Sequence, residues 1–182
     1  MRTILSAVSV AAVLLTIAVP VQAQREVKHK GFWISFGVGG GWNTTENIAG
    51  ESLVGGAGYL RLGGTPNERF LIGGEAIAWV REENNEVLVR GNSTFSLLFY
   101  PSYYGGFFLK GGVGAASVEN ITQAGNVTIV ETDYGFGATF GAGFDVRFAR
   151  NFYLTPGLDF LFQRIDDSEN ALLLITVGVT WH

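Results

Sequence analysis

The stretch at residues 134–147, Y-G-F-G-A-T-F-G-A-G-F-D-V-R, constrains the fold more than any other part of the chain. Its even-numbered residues are all apolar and four of them are aromatic, whereas its odd-numbered residues are glycine, threonine or charged. Because successive side chains of a β-strand point to opposite faces, this alternation predicts a strand with one apolar face. Glycines weaken a strand unless neighbouring groups must approach closely, so glycines on the polar face indicate a crowded interior behind an apolar exterior. That distribution, over a length that suits a tilted bilayer crossing, predicts a transmembrane β-strand.

The same pattern, punctuated by turn residues, recurs along the chain and predicts eight strands. An even number of antiparallel strands of this length is typical of a closed outer-membrane barrel, because lipid offers no hydrogen bonds to unpaired backbone groups. Side chains just fill the interior of a barrel of this size. We therefore expect an all-β, eight-stranded antiparallel up-and-down transmembrane β-barrel with a plugged lumen and no wide pore. The predicted strands are residues 31–42, 53–62, 69–80, 87–100, 104–117, 134–147, 152–164 and 171–181.

The N-terminus has the features of a cleavable signal peptide at residues 1–23. Arg2 is the positive n-region, residues 4–19 form the apolar core, and a small-residue cleavage site ends at Ala23. An uncleaved membrane helix is the rival interpretation, but the apolar run is short for spanning a bilayer. We therefore expect residues 24–182 to form the mature barrel domain and the protein to be exported to the cell outer membrane.

Composition narrows the possible functions. The chain has no cysteine, so a disulfide framework, thiol chemistry and Cys-ligated zinc are excluded. Its formal net charge of −4 argues against nucleic acid as a partner. Glycine clusters at residues 37–41 and 111–114 lack the spacing and the following helix of a phosphate loop. We expect no metal and no cofactor.

Charged residues on the polar face predict the content of the lumen. Strand alternation places Arg61, Glu75 and Arg90 on the same face. Short turns should bring Arg61 beside Glu75, and Arg90 diagonal to Glu75, within reach of long side chains. We therefore predict a structural ion cluster of these three residues inside the barrel. Four further charges share the lumen face by alternation: Lys110, Asp145, Arg147 and Asp159.

Acidic residues concentrate in the connections that should lie outside the cell. A periplasmic N-terminus places the connections after strands one, three, five and seven outside, and the longest of these loops is predicted at residues 119–133. Among lipopolysaccharide phosphates, these carboxylates could contact bridging divalent cations or could keep the loops solvated, and we favour solvation. Outer-membrane lipid and lipopolysaccharide are thus the expected partners. The candidates for cation contact are Glu82, Glu83, Glu86, Asp166, Asp167 and Glu169.

Aromatic residues collect near both predicted membrane interfaces, as expected of the girdles of a membrane barrel. Trp42 and Trp79 are predicted at the outer interface. The aromatic residues predicted at the periplasmic interface are Phe32, Tyr100, Tyr103, Tyr104, Phe152 and Trp181.

The chain resembles small outer-membrane β-barrel proteins of the OmpA/OmpX type, in the porin-like superfamily of Gram-negative bacteria. The resemblance is carried by the glycine-aromatic strand at residues 135–147, the sequence N-F-Y-L-T-P-G at residues 151–157, and a last apolar strand ending in an aromatic residue. It implies a monomeric barrel that the barrel insertion machinery assembles. Family members commonly end on Phe or Trp, whereas here Trp181 is penultimate and His182 is last.

Barrel enzymes that edit lipid A resemble this fold, and they need a histidine with a serine and an acid near the outer rim. The only histidines, His29 and His182, precede the first strand and end the last strand, so both should lie at the periplasmic rim. We therefore predict that the protein is not an enzyme. We expect a structural or surface-interaction role, with a lipid-modifying barrel enzyme as the alternative. A soluble periplasmic β-barrel that binds a small apolar ligand is a further alternative.

Overall fold

The computed structural model describes residues 30–44, 53–83, 86–103, 105–124 and 127–182. The predicted signal peptide, its cleavage site at Ala23 and His29 lie outside the described residues. No helix among the described residues is long and apolar enough to cross a membrane.

The described chain forms one closed antiparallel sheet. Its order is β6-β5-β4-β3-β2-β1-β9-β8-β7, and pairing of β6 with β8 closes it. The short β7 continues β6 past a break at Asp145 in the same register against β8, so the barrel has eight crossings. The strands are β1 (Gly31–Asn43), β2 (Leu53–Asn67), β3 (Phe70–Glu83), β4 (Glu86–Phe99), β5 (Phe107–Ala124), β6 (Val127–Phe144), β7 (Val146–Ala149), β8 (Phe152–Ile165) and β9 (Ser168–Trp181).

The predicted fold class is confirmed, and the largest difference is at the predicted loop 119–133. These residues are mostly paired, because β5 and β6 extend as a hairpin from Ser117↔Tyr134 to Ala124↔Val127. The segment V-T-I-V at residues 127–130 is rich in β-branched residues, which favour strands, and the polar residues that follow do not interrupt the ladder. A second difference is the predicted turn at residues 81–86, where β3 and β4 stay paired as far as Glu83↔Glu86.

The two faces of the wall are inverted relative to a soluble barrel. Large apolar side chains lie exposed on the outside, such as Phe36 at 57%, Val38 at 73% and Phe140 at 56%, while the lumen buries charged residues. Two predicted girdle aromatics face the lumen instead, because Trp79 and Tyr100 are only 0% and 1% exposed. The prediction was wrong at these positions because aromatic residues occur on both faces, so residue type alone did not identify the face.

Two of the lumen-facing glycines make room for one large side chain. A Cβ atom on Gly37 would overlap the Tyr59 ring, and a Cβ atom on Gly178 would overlap the Tyr59 hydroxyl group. Gly141 similarly clears space for the Asp159 carboxylate. The glycines of the polar face are thus explained by close packing inside a narrow barrel.

Candidate functional site

Four charged side chains meet in the middle of the lumen and form what we call the ion ring. Arg61 Nε lies 2.9 Å from Glu75 Oε1, and Arg61 Nη2 lies 2.7 Å from Asp159 Oδ2. Lys110 Nζ lies 2.7 Å from Asp159 Oδ1 and also pairs with Glu75 Oε1. Each cation therefore contacts both carboxylates, and the four charges sum to zero.

The ion ring is assembled from four different strands around the barrel. Arg61 on β2 and Glu75 on β3 are direct cross-strand partners, as the sequence predicts. Lys110 comes from β5, two strands away from Glu75 in the sheet, and Asp159 comes from β8 on the far side of the barrel, so two predicted lumen charges join the pair. All four residues are at most 5% exposed. Ser96 Oγ donates a further hydrogen bond of 3.0 Å to Glu75 Oε2.

Arg90 does not lie where the sequence places it. The register puts Arg90 opposite Trp79, whereas Glu75 lies opposite Thr94, four residues further along β4. At about 3.3 Å per residue, this is an offset of about 13 Å along the strand. The prediction that Arg90 lies diagonal to Glu75 is wrong, because the β3–β4 turn is centred between residues 84 and 85, one residue later than the predicted turn, and this shifts the register of β4 by two residues against β3. Arg90 is 6% exposed and buried nearer the outer end of the lumen.

Apolar side chains cover the ion ring on both sides. An outer layer contains Trp79, whose Nε1 donates to the Gly41 carbonyl group at 3.1 Å, and an inner layer contains Tyr100 and Phe108. These layers keep the paired charges away from both aqueous ends of the barrel. The outer layer comprises Tyr59, Ile77, Trp79, Leu161, Leu172 and Leu174, and the inner layer comprises Trp33, Leu71, Leu98, Tyr100 and Phe108.

Asp145 anchors a chain of hydroxyl groups on the periplasmic side of the ion ring. Its carboxylate accepts hydrogen bonds from Tyr100 at 2.8 Å and from Thr155 at 2.6 Å, and the residue is 0% exposed. A cavity of about 10 Å³ remains beside these groups, about the size of one water molecule. The chain runs from Thr155 through Thr180 and Ser35 to Tyr59, whose ring lies 3.8 Å from Arg61 Cζ.

Sequence reasoning missed the hydroxyl groups of this network. Tyr100 was predicted on the lipid side, and Thr155, Ser35 and Ser96 carry no charge that would distinguish them from ordinary strand residues. The signal that could have found three of them was parity within a strand, since Tyr100 and Ser96 share the parity of Arg90 on β4 and Thr155 shares that of Asp159 on β8.

Arg147, predicted in the lumen, lies in the short strand β7 at the periplasmic end. It is half-buried, and its guanidinium group donates to the carbonyl groups of Ala149 and Arg150. His182 lies at the same end, where its ring makes an edge contact with Tyr153 at 5.2 Å between centroids.

The predicted outer acids lie on two separate hairpins. Glu82, Glu83 and Glu86 border the β3–β4 turn, while Asp166, Asp167 and Glu169 border the β8–β9 turn, and all six are exposed. Asp166 has φ of 52°, in the left-handed region that such a two-residue turn requires. Within the described residues, no group of three or more His, Cys, Asp or Glu side chains is arranged to hold a metal ion.

The β5–β6 hairpin rises above its neighbour at the outer rim. β6 pairs with β5 over its whole length, but it pairs with β8 only as far as Phe136↔Arg164. Among the described strands, residues 127–135 of β6 have no partner on the β8 side. We call this unpaired edge the edge slot. Three large apolar side chains lie exposed along it: Ile129, Val130 and Tyr134.

Comparisons with known proteins agree with the fold. No protein-family model matches the chain, and a search of curated proteins finds no significant match. Among solved structures, Ail, the attachment invasion locus protein of Yersinia pestis, is 14% identical with a TM-score of 0.58, over 84% of this chain and 99% of that chain. Neisserial surface protein A is 12% identical with a TM-score of 0.61, over 85% and 99%. Ail in complex with the heparin analogue sucrose octasulfate is 17% identical with a TM-score of 0.58, over 84% and 99%.

Identities this low identify the architecture and leave the activity open. The TM-scores of 0.58 to 0.61, over nearly the whole of each of these neighbours, show that the closed antiparallel barrel of this chain has the same fold as theirs. The chain therefore has the eight-stranded β-barrel fold of small bacterial outer-membrane proteins.

Proposed function

We propose that the protein spans the outer membrane as a monomeric closed barrel and presents the β5–β6 hairpin outside the cell as an interaction surface. The observation that carries the surface role is the edge slot, where backbone groups of a paired hairpin lack a neighbouring described strand. A strand edge left open in this way is a template for pairing with another chain. The strands of the hairpin have 18 residues each and are the longest of the described strands.

The inverted faces support the membrane location. Exposed Phe36, Val38 and Phe140 would contact lipid tails, and closure of the sheet by pairing of β6 with β8 satisfies the backbone where water is absent. Export would follow from a signal peptide cleaved after Ala23. Assembly by the insertion machinery would act on β9, which ends in Trp181, and lipopolysaccharide would surround the outer rim.

The packed lumen supports a plugged barrel without a wide pore. The ion ring is neutral and lies between two apolar layers, so a permeating ion would have to displace paired charges in a dry environment. A planar-bilayer recording of the purified protein should accordingly show no large, stable channels, and such channels would contradict the plugged lumen.

A role other than catalysis is supported by the position of the described histidine. His182 lies at the end of β9 beside Tyr153, at the rim opposite the edge slot. A lipid-modifying enzyme of this fold would need its histidine at the outer rim. The soluble-barrel alternative is disfavoured, because its exterior would have to be polar.

Fractionation of cells tests the location directly. The mature protein should begin at Gln24, appear in the outer-membrane fraction and change its gel mobility on boiling, because a closed barrel resists detergent unfolding. A soluble periplasmic product with no heat-dependent mobility would refute the membrane location. Protease added to intact cells should cleave near the β5–β6 turn, and protection of that turn would refute the proposed orientation.

A further inference from the structure

We propose that the edge slot binds an extended, lysine- or arginine-rich segment of a partner protein, which adds as a strand antiparallel to β6. This inference rests on the surface-interaction role proposed above and assigns the chemistry of the partner. Three features of the slot support it: its open hydrogen-bonding edge, the charge of its border, and the direction of its strand.

The open edge supplies directional hydrogen bonds. Residues 127–135 of β6 pair with β5 on one side only, so alternate residues direct their N–H and C=O groups toward the slot. An extended peptide can use these groups in the same way as a further strand of the sheet. Exposed Val130 and Tyr134 lie on one face of β6 and Ile129 lies on the other, so apolar side chains of the added strand would have contacts on both faces.

The border of the slot is acidic. β6 itself contributes Glu131 and Asp133, and the β8–β9 hairpin contributes carboxylates at the foot of the slot. Arg164 is the cation in this part of the border, and it lies opposite Glu169 in the register of β8 and β9. Complementarity favours a basic partner, and a polyanion such as the heparin analogue bound to Ail would be repelled. The five carboxylates of the border are Glu131, Asp133, Asp166, Asp167 and Glu169.

The direction of β6 excludes the simplest alternative occupant, a second copy in the same membrane. β6 descends toward the periplasm in every copy, so two such edges could meet only in a parallel arrangement. Strands of a closed barrel also tilt by about 35–45° from the barrel axis, so the two edges would cross. The slot continues the line of β8 beyond Ile165, and an antiparallel partner strand would therefore run outward from the membrane.

The test uses synthetic peptides as long as the slot and the purified folded barrel in detergent. The probe alternates lysine and valine, and its binding is measured by fluorescence anisotropy of a terminal dye. Two N-methylated versions of the probe carry methyl groups on alternate amides, one version on the odd-numbered and the other on the even-numbered amides. These two phases have the same charge and composition. Strand addition predicts that one phase binds like the unmodified probe and that the other binds at least about tenfold more weakly, since only one set of amides faces β6.

Charge variants of the barrel supply the second half of the test. Glu131→Lys with Asp133→Lys should weaken binding of the lysine probe by about tenfold or more, and added salt should reduce that difference. The matched control is Glu82→Lys with Glu83→Lys, which makes the same charge change on the β3–β4 hairpin. A glutamate–valine peptide should show no binding to the parent barrel.

Each outcome decides the inference. Equal binding of the two N-methylated phases would overturn strand addition, and equal effects of the two charge variants would overturn the assignment to this slot. Sedimentation without peptide tests for a dimer of the barrel. A dimer that is lost in the variant at positions 131 and 133 would show that a second copy, and not a partner segment, occupies the slot. Because the assay uses purified barrel, a negative result leaves the membrane location intact, and a failed fractionation leaves the binding result intact.

Discussion

Removing Glu75 should be the most damaging single change in the lumen. Its carboxylate accepts hydrogen bonds from Arg61, Lys110 and Ser96, and the residue is 4% exposed. In Glu75→Ala, Arg61 and Lys110 would share the single carboxylate of Asp159, which leaves one uncompensated positive charge in a dry lumen. Breaking a buried ion pair in this way typically costs about 3–5 kcal/mol of unfolding free energy. We expect a loss of that size.

Restoring neutrality should recover part of the loss. Lys110→Met in the Glu75→Ala background leaves Arg61 paired with Asp159 through its 2.7 Å contact. Groups in one ion network typically show coupling of about 0.5–3 kcal/mol, and the sign here should be a rescue. Arg90→Met in the same background is the matched control, because Arg90 lies opposite Trp79 and should not restore the ring.

Urea unfolding of the barrel in lipid vesicles, followed by tryptophan fluorescence and by heat-dependent gel mobility, would measure these free energies. A Glu75→Ala protein within about 0.5 kcal/mol of the parent would refute the reasoning, since changes of that size are typical of the surface. Equal rescue by Lys110→Met and Arg90→Met would show that Glu75 is not coupled specifically to the residues of the ion ring.

Three further changes test the faces and the packing by the same unfolding assay. Phe140→Arg places a charge on the lipid face and should cost about 2–4 kcal/mol of unfolding free energy at the bilayer midplane. Thr139→Ser in the lumen should cost about 1 kcal/mol, and equal tolerance of the two changes would mean that the faces are reversed. Gly178→Ala should cost about 1–3 kcal/mol by overpacking against the Tyr59 hydroxyl group, and Tyr59→Phe should relieve part of it, so an additive double variant would contradict the contact. Trp79→Phe removes the donor of a buried hydrogen bond and should cost about 1–3 kcal/mol, while no loss would contradict its place in the lumen.

The faces of the barrel could be predicted from the sequence because they depend on a local rule. Lipid outside selects apolar residues, and a crowded lumen inside selects small or polar residues. Because the side chains of a strand point alternately to its two faces, these two kinds of residue alternate along the sequence. The same rule, read within each strand, placed Arg61, Glu75, Lys110 and Asp159 in the lumen. It also assigns Trp79 to the face of Glu75 and Tyr100 to the face of Arg90. The wrong prediction for these two residues rested on residue type, because aromatic side chains serve both as interface anchors and as lumen filling.

The partners across the barrel were decided by the tertiary structure. Which lumen charges meet depends on the residue at which each hairpin turns, and centring the β3–β4 turn between Glu83 and Glu86 moves Arg90 away from Glu75. Asp159 reaches the ion ring because closure of β6 against β8 brings β8 opposite β2 and β3 across a narrow lumen. The edge slot likewise exists because β5 and β6 extend beyond β8, a difference in height between neighbours that no single strand encodes. Alternation is a property of each strand by itself, whereas register and height are properties of the closed sheet.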